Sequence, residues 1–120
     1  MRSDADTPIM ELKREVLALC RRKGWGDENG VQDPQHVAMA MTVEMSELLE
    51  HFQWLDREDV QKLLRGEDPE RVALIAEEFA DVMMYGLQLC DALGIDVTQQ
   101  ILRKIEIVDQ RQYGPEEPRR

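Results

Sequence analysis

Two pairs of acidic residues are the part of this sequence best suited to carry out chemistry. The first pair is Glu44 and Glu47 and the second is Glu78 and Asp81, each with three-residue spacing. If both segments are helical, each pair lies on the same flank of its helix as a stripe of apolar residues. Because a helix seldom turns two carboxylates toward its own core, this pattern predicts a site shared between two long helices.

Carboxylates that converge in an apolar interior create an electrostatic conflict. Each buried charge costs on the order of several kcal/mol unless it is paired, or its pKa shifts until the group is protonated. A bound divalent cation removes this conflict. Since the two pairs offer only oxygen ligands, the pattern predicts Mg²⁺, with Mn²⁺ as a substitute, rather than zinc or copper.

A di-iron carboxylate bundle is the main competing interpretation of the acidic pairs. Bundles of that type need a Glu three residues before a His on two of their helices. Neither His36 nor His51 has a Glu three residues before it. A redox-inert cation is therefore the preferred interpretation.

The composition limits both the class of protein and its partners. The chain has 120 residues, which is enough for a single domain, and a formal net charge of −10. A chain this acidic is poorly suited to nucleic acid or to an anionic membrane surface, since both are bound through Lys and Arg. A small anionic substrate is compatible with this charge if metal ions bridge it.

The cysteines and the apolar runs favour a cytoplasmic protein. Cys20 and Cys90 lie in apolar helical stretches without the spacing of a metal site, which is typical of a reducing compartment. We find no N-terminal signal sequence, and the longest strongly apolar run, residues 82–93, is too short to span a bilayer.

Repeated helix-start signals predict an all-α fold. A capping residue followed by Pro occurs at Thr7, Asp33 and Asp68, and Asp56 and Asp96 can cap two further helices. The predicted helices cover residues 8–23, 34–55, 56–65 and 70–93 and a last segment from residue 96 onward. Residues 1–120 are predicted to form one domain. Within it, residues 1–6 and 115–120 are predicted to be disordered.

Two apolar surfaces predict that the chain assembles with itself. Between Phe79 and Leu93 the predicted helix is apolar on nearly every side, and one bundle of 120 residues has too few neighbours to cover it. A stripe on the last helix, predicted to be buried, consists of Val97, Ile101, Ile105 and Val108. We expect a four-helix-bundle-type fold with one short extra helix, its core completed in a homodimer or homotetramer.

Three aromatic residues and one lysine have both structural and functional interpretations. Trp25, in the glycine-rich segment 24–30, could be a lid, a base-stacking residue or a plug over the end of the bundle. Trp54 and Tyr85 lie on apolar flanks, where they could belong to the core or stack on a base. Lys104 could bind a phosphate or simply favour the helix dipole.

The acidic pairs and their surroundings resemble the MazG-like, all-α nucleoside triphosphate pyrophosphatases, and most closely the dCTP pyrophosphatase branch. The resemblance covers roughly residues 20–113. Its specific segments are Glu44-x-x-Glu47, Glu50-His51-Phe52-Gln53-Trp54, Glu77-Glu78-x-x-Asp81-Val82-x-x-Tyr85 and Lys104. The acidic pairs together with these continuations make a strong match, whereas any one segment alone would be weak.

The resemblance implies a reaction and a role for each matching residue. The chain would be a Mg²⁺-dependent pyrophosphohydrolase that converts a nucleoside triphosphate, such as dCTP or a modified pyrimidine deoxynucleotide, to the monophosphate and pyrophosphate. The implied roles are Mg²⁺ binding by Glu44, Glu47, Glu78 and Asp81, phosphate contact by Lys104 and Arg111, and a nucleotide pocket lined by Trp54 and Tyr85, with Trp25 as a further candidate. We also expect Glu47 to orient or deprotonate the attacking water.

Several positions depart from the pattern of the dCTP branch. Around the start of the central helix, Gln32 and His36 stand where the branch carries His and Asn, and Val108 stands where it carries Asn. These changes fall on the base and phosphate ends of the implied site. They leave the reaction class intact and the preferred nucleotide open.

Two other functions are compatible with the same residues. The chain could be a non-catalytic helical dimerisation or adaptor module whose carboxylates hold a structural cation. It could also be a relative that keeps the metal site and hydrolyses another diphosphate, such as a phosphoribosyl or dUTP-type substrate.

Overall fold

Five α-helices make up the regular structure of the chain. The computed structural model describes residues 1–111, and within that range every regular element is helical. The helices are α1 (Ile9–Lys23), α2 (Pro34–Glu50), α3 (Arg57–Leu64), α4 (Pro69–Ala92) and α5 (Val97–Asp109). The all-α prediction with one short extra helix is confirmed. Among these helices, none combines the length and the apolar character needed to cross a membrane.

The two ends of the chain differ in what the structure describes. Residues 1–6, for which the sequence predicts disorder, contain a turn in which Asp6 N donates to Ser3 O at 3.1 Å. The predicted disorder of residues 115–120 lies outside the described residues.

Aspartate side chains define most of the helix starts. Asp33, Asp56, Asp68 and Asp96 each accept a hydrogen bond from a backbone N–H group in the first turn of α2, α3, α4 and α5. These bonds satisfy backbone N–H groups that have no acceptor within the helix. The four predicted aspartate caps are therefore confirmed. Helix α1 differs, because Pro8 is its N-cap and not its first helical residue, and no side-chain cap bond is formed there.

Helix α2 ends earlier than the sequence predicts. The helix stops at Glu50, and residues 51–54 form turns in which Phe52 N donates to Leu49 O at 2.9 Å. The prediction of a helix to residue 55 is wrong. Asp56 must adopt an extended backbone, with φ −87° and ψ 179°, to cap α3, so the chain has to leave the α2 helix before that residue.

The core lies between α1, α2 and α4. Helix α4 is central, because α2 packs along it most extensively, α1 packs against it and α3 touches it. The main buried cluster consists of Val16, Cys20 and Leu87, with Ile9, Met84 and Val97 packed around it. Since α2 and α4 share the largest helix contact, carboxylates on their facing flanks can meet.

Helix α5 contacts this core at its first residue, Val97. Further along the helix, Ile101 is 53% exposed and Ile105 is 58% exposed, so the prediction that the α5 stripe is buried is wrong for these two residues in the single chain. An amphipathic pattern identifies the apolar face of a helix but not what covers it. Phe79 on α4 is also 54% exposed. Self-association, which would cover these surfaces, stays a prediction.

Candidate metal centre and adjoining cavity

Three carboxylates converge at the contact between α2 and α4. Glu44 and Glu47 on α2 and Glu78 on α4 each offer an oxygen, and these oxygens lie within 4.8 Å of one another. The i, i+3 spacing puts the two α2 residues on one flank of the helix, and the packing of α4 brings the third residue to them. Asp81, the fourth predicted ligand, is not part of this trio. It is more exposed and lies beside Glu44 in the lining of the adjoining cavity.

Two oxygens of this cluster are buried without a partner. Within the described chain, Glu44 Oε2 and Glu78 Oε2 are shielded from solvent and make no hydrogen bond. A buried acceptor left in that state is costly, and protein interiors contain few of them. These two oxygens therefore point to a ligand or proton that the protein atoms do not supply.

The charge state of the cluster reflects the same conflict. Burial is the main reason that the pKa of Glu44 is raised, and the neighbouring carboxylates of Glu47, Asp81 and Glu78 raise it further. The pKa of Glu78 is also raised, again mainly by burial and then by the charges of Glu47 and Asp81. Burial and neighbouring negative charge both favour the protonated form of a carboxyl group. The raised pKa values of Glu44 and Glu78 therefore indicate that positive charge from the protein does not balance the cluster.

His51 offsets part of this negative charge when it is protonated, and it was assigned no role from the sequence. Its Nε2 lies 4.0 Å from Glu78 Oε1, in the turn that follows α2, and the protonated imidazole lowers the pKa of Glu78 against the larger raising effects. One sequence signal could have identified it, because His51 follows Glu47 by four residues and so continues the same flank of α2.

The donor set of the cluster fits a hard divalent cation. All the ligand atoms are carboxylate oxygens, which Mg²⁺ and Mn²⁺ prefer, and no Cys or His belongs to the converging trio. A cation would also satisfy the buried oxygens of Glu44 and Glu78. The convergence of three carboxylates agrees with the predicted metal site, while the identity of the ligands stays a prediction.

A cavity adjoins the acidic cluster. Its volume is about 340 Å³, and its lining consists of Leu19, Trp25, Gln32, Glu44, Asp81, Met84, Tyr85 and Gln88. Two predicted metal ligands and two predicted substrate-binding aromatic residues therefore share one cavity. Such a mixture of apolar walls and a few polar groups is typical of small-molecule sites.

The loop before α2 holds Trp25 at this cavity. The Asp27 side chain accepts hydrogen bonds from Asn29 N at 2.8 Å and Val31 N at 2.9 Å, which fixes the loop as a compact turn. Gly30 has φ 80°, and a Cβ at this position would lie 2.8 Å from Leu17 O on α1. Because only glycine fits this close approach, the loop is seated on α1 with Trp25 at its edge.

Two glutamines in the cavity wall were not identified as functional from the sequence. Gln32 Nε2 donates to Gln88 Oε1 at 2.7 Å and lies 3.9 Å from Cys20 Sγ. In the sequence, Gln32 is a departure from the family pattern and Gln88 is an interruption of an apolar run. Their contact joins the segment before α2 to the C-terminal part of α4, and only the folded structure reveals it.

Three predicted substrate contacts are not brought to the cavity in the single chain. Trp54 is 86% exposed in the turn after α2. Lys104 lies on α5 in a separate groove of about 430 Å³ with Ile101 and Ile105, and Arg111 is an exposed residue just beyond that helix. None of the three lines the cavity beside the acidic cluster. Their roles as substrate contacts therefore stay predictions.

Comparison with known proteins identifies the family. The model of the MazG-like family matches residues 39–117, which is more than half of the chain. dCTP pyrophosphatase 1 from Mus musculus is 30% identical over 110 residues, covering 92% of this chain and 62% of that protein. The Homo sapiens protein of the same name is 31% identical over 80 residues, covering 67% of this chain and 45% of that protein. The chain thus spans less than two thirds of the length of these relatives.

A solved structure supports the same assignment. A pyrophosphatase from Archaeoglobus fulgidus superimposes with a TM-score of 0.68 and 29% identity, covering 91% of this chain and 96% of that one. The resemblance inferred from the acidic pairs is confirmed, and the matched region contains all three converging carboxylates. The chain belongs to the MazG-like family.

Proposed function

We propose that this chain is a nucleotide pyrophosphatase that uses a divalent cation to hydrolyse a nucleoside triphosphate to the monophosphate and pyrophosphate. The observation that carries this proposal is the pair of buried, unpartnered oxygens of Glu44 and Glu78 beside a cavity with aromatic walls. The names of the curated relatives support dCTP as the substrate, and a modified pyrimidine deoxynucleotide is our second candidate. Removal of excess or non-standard nucleotides would be the purpose.

The acidic residues would hold the cation. Glu44, Glu47 and Glu78 converge, and Asp81 lies close enough for its charge to raise the pKa of both Glu44 and Glu78. We assign all four residues as ligands of Mg²⁺, with Mn²⁺ as a substitute. When bound, such a cation neutralises charge on the phosphoryl oxygens and lowers the pKa of bound water.

Glu47 is the residue that we assign to the attacking water. It belongs to the converging trio, but unlike Glu44 and Glu78 it has no oxygen among those buried without a partner in the described chain. A carboxylate that keeps an accessible oxygen can accept a hydrogen bond from water and orient it.

The charge of the substrate requires groups that the single chain does not bring to the cavity. No Lys or Arg is part of the cavity lining, although a triphosphate carries several negative charges. We propose that Lys104, Arg111 and Trp54 contact the nucleotide in a homodimer or homotetramer, in which the exposed apolar face of α5 is covered. The free thiols of Cys20 and Cys90 are compatible with the cytoplasm as the compartment.

The test is an assay of pyrophosphate release from a panel of nucleoside triphosphates with Mg²⁺, Mn²⁺ or EDTA. The active protein should lose at least about a hundredfold in kcat in the Glu47→Gln and Asp81→Asn variants, as is usual when a group stabilising the transition state is removed. Glu77→Gln is the matched control, because Glu77 is an exposed carboxylate on α4 next to Glu78.

The alternative outcomes separate the candidate functions. Hydrolysis that is equal in the control and in both site variants would contradict the site assignment. A cation-dependent rise in melting temperature without hydrolysis of any nucleotide would favour the adaptor with a structural cation.

A further inference from the structure

The inner wall of the cavity contains a pair of carboxamides. Gln88 is 8% exposed on α4, and its Oε1 accepts a hydrogen bond from Gln32 Nε2 at 2.7 Å. Both side chains line the same cavity as Glu44, Asp81, Trp25 and Tyr85. The bond uses one polar atom of each amide, so Gln32 Oε1 and Gln88 Nε2 are the amide atoms left to interact with a ligand.

The position of these amides suits them to contact a base and not a phosphate. The anionic end of a nucleotide requires the cation site, where Glu44 and Asp81 are located. Neutral amides add no charge to balance a phosphate, but they offer one donor and one acceptor at fixed positions. A buried polar pair of this kind discriminates strongly between ligands that complete its hydrogen bonds and ligands that do not.

We propose that Gln32 and Gln88 determine base selectivity and that they accept a pyrimidine with either an amino or an oxo group at its hydrogen-bonding edge. This inference rests on the proposed nucleotide pyrophosphatase function. It predicts that cytosine and uracil nucleotides are processed with similar efficiency, although their edges have donors and acceptors exchanged.

The physical reason is that the amide pair can reverse its polarity without losing its internal hydrogen bond. Rotation of an amide by about 180° exchanges its oxygen and nitrogen at nearly the same positions. If Gln32 and Gln88 both rotate, Gln88 Nε2 donates to Gln32 Oε1. Gln32 then offers the base a donor in place of an acceptor, and Gln88 offers an acceptor in place of a donor. The two arrangements therefore contain the same number of hydrogen bonds.

The surroundings of the pair permit this reversal. The neighbouring group at 3.9 Å from Gln32 Nε2 is the thiol of Cys20. A thiol is a weak acceptor and also a weak donor, so it can face either the nitrogen or the oxygen of the amide. A charged neighbour would instead fix one orientation and one type of base.

The experiment compares kcat/KM for dCTP and dUTP in the full-length protein. For the wild-type chain we expect the two values to agree within about tenfold. Gln32→Glu and Gln88→Glu each replace a reversible amide with a carboxylate that only accepts hydrogen bonds. Each substitution should lower kcat/KM for both dCTP and dUTP by about tenfold or more, because two acceptors then face a base edge that has one donor and one acceptor.

Two controls separate selectivity from folding and from charge. Gln35→Glu adds the same charge at an exposed position in the first turn of α2 and should leave kcat/KM for both nucleotides unchanged. Gln32 is only half-buried, so Gln32→Glu remains informative if Gln88→Glu does not fold. The melting temperature of each glutamate variant separates loss of a base contact from loss of folding.

The outcomes also distinguish this inference from the function on which it rests. A wild-type preference above about tenfold for either nucleotide would overturn the inference, as would glutamate variants that fold and keep the wild-type kcat/KM for both nucleotides. A chain that hydrolyses other triphosphates but neither of these two contradicts the inference and keeps the proposed function. If no triphosphate is hydrolysed, the proposed function fails and the inference fails with it.

Discussion

A carboxylate oxygen of Glu44 and one of Glu78 lie within 4.8 Å of each other across the contact between α2 and α4. Each residue also keeps a buried oxygen that has no hydrogen-bond partner in the described chain. The two helices therefore hold like charges together, and His51 near Glu78 compensates them only in part. This arrangement destabilises the folded protein unless a proton or a cation is bound.

Removing one of these charges should stabilise the metal-free protein and abolish its response to cations. We expect Glu78→Gln to raise the melting temperature by a few degrees in EDTA near neutral pH, because the repulsion and the cost of burying a charge are relieved. The rise in melting temperature that Mg²⁺ gives the wild-type protein should nearly disappear in this variant. Thermal denaturation with EDTA and with Mg²⁺ measures both effects.

The control for this prediction is Glu77→Gln. It removes the same charge from an exposed position one residue away on α4. This variant should keep both the wild-type melting temperature in EDTA and the Mg²⁺ response. A Glu78→Gln protein that retained the full Mg²⁺-induced rise would count against Glu78 as a ligand.

The stability of the metal-free protein should depend on pH through Glu44. Burial is the main cause that raises the pKa of Glu44 above its ordinary 4.5, so the folded state binds this proton more tightly than the unfolded state. The stability that this adds is present below the ordinary pKa and is lost as the pH rises through the raised value. We therefore expect wild type and Glu44→Gln to be similar in stability near pH 4 and the variant to be more stable near pH 7.

Urea denaturation in EDTA at several pH values checks this prediction. The difference between the two proteins is the useful quantity, because it cancels the contribution of Asp68. The hydrogen bond from Arg71 lowers the pKa of Asp68, so its contribution to stability is lost as the pH falls. A difference that does not change between pH 4 and pH 7 would show that Glu44 is not perturbed.

Helical periodicity was sufficient to predict that Glu44, Glu47 and Glu78 converge, whereas Asp81, the fourth predicted ligand, lies outside this trio. The i, i+3 spacing fixes the flank on which Glu44 and Glu47 lie, and two long apolar helices in a short chain must pack together. The end of α2 was harder to predict. No Gly or Pro follows Glu50, and the apolar spacing continues through Phe52, so the pattern alone does not signal the turns at residues 51–54.

Contacts between distant residues could not be predicted in the same way. Gln32 and Gln88 are 56 positions apart and meet only because α4 packs against the segment before α2. The apolar stripe of α5 was recognised, but periodicity does not state whether the covering surface belongs to the same chain. Tertiary packing decides both points, and a single sequence contains no direct record of it.

Trp25 should contribute to binding and less to the chemical step. It lines the cavity but is not part of the acidic trio. We expect Trp25→Ala to raise KM for the nucleotide about tenfold, since base stacking on an aromatic side chain contributes about 1–3 kcal/mol. The effect on kcat should be smaller. Trp25→Phe keeps an aromatic face and should restore most of the affinity, whereas equal losses in both variants would argue for a packing role.

The exposed face of α5 should govern the oligomeric state. Ile105 is 58% exposed in the single chain. We expect light scattering to show an oligomer for the wild-type protein and mainly monomer for Ile105→Glu, because a charge buried in an apolar contact costs on the order of several kcal/mol. Gln99→Glu introduces the same side chain on another face of α5 and should leave the mass unchanged. A wild-type monomer would refute the proposed assembly.

Lys13 should anchor the connection between α4 and α5. The side chain is 7% exposed on α1, and its Nζ donates to Ile95 O at 2.7 Å. A hydrogen bond from a charged group contributes about 1.5–3 kcal/mol, but replacing a buried ion by an apolar residue recovers part of its desolvation cost. We therefore expect Lys13→Met to lower the free energy of unfolding by only about 1 kcal/mol.

The same variant should also affect the proposed site, because α5 follows this anchor and carries Lys104. A loosened α5 would hold a phosphate contact less firmly, so KM for the nucleotide should rise more than kcat falls. Arg14→Met, which removes an exposed cation from the neighbouring position of α1, should change neither stability nor KM. Equal effects of the two substitutions would mean that loss of positive charge, and not loss of the Ile95 bond, is the cause.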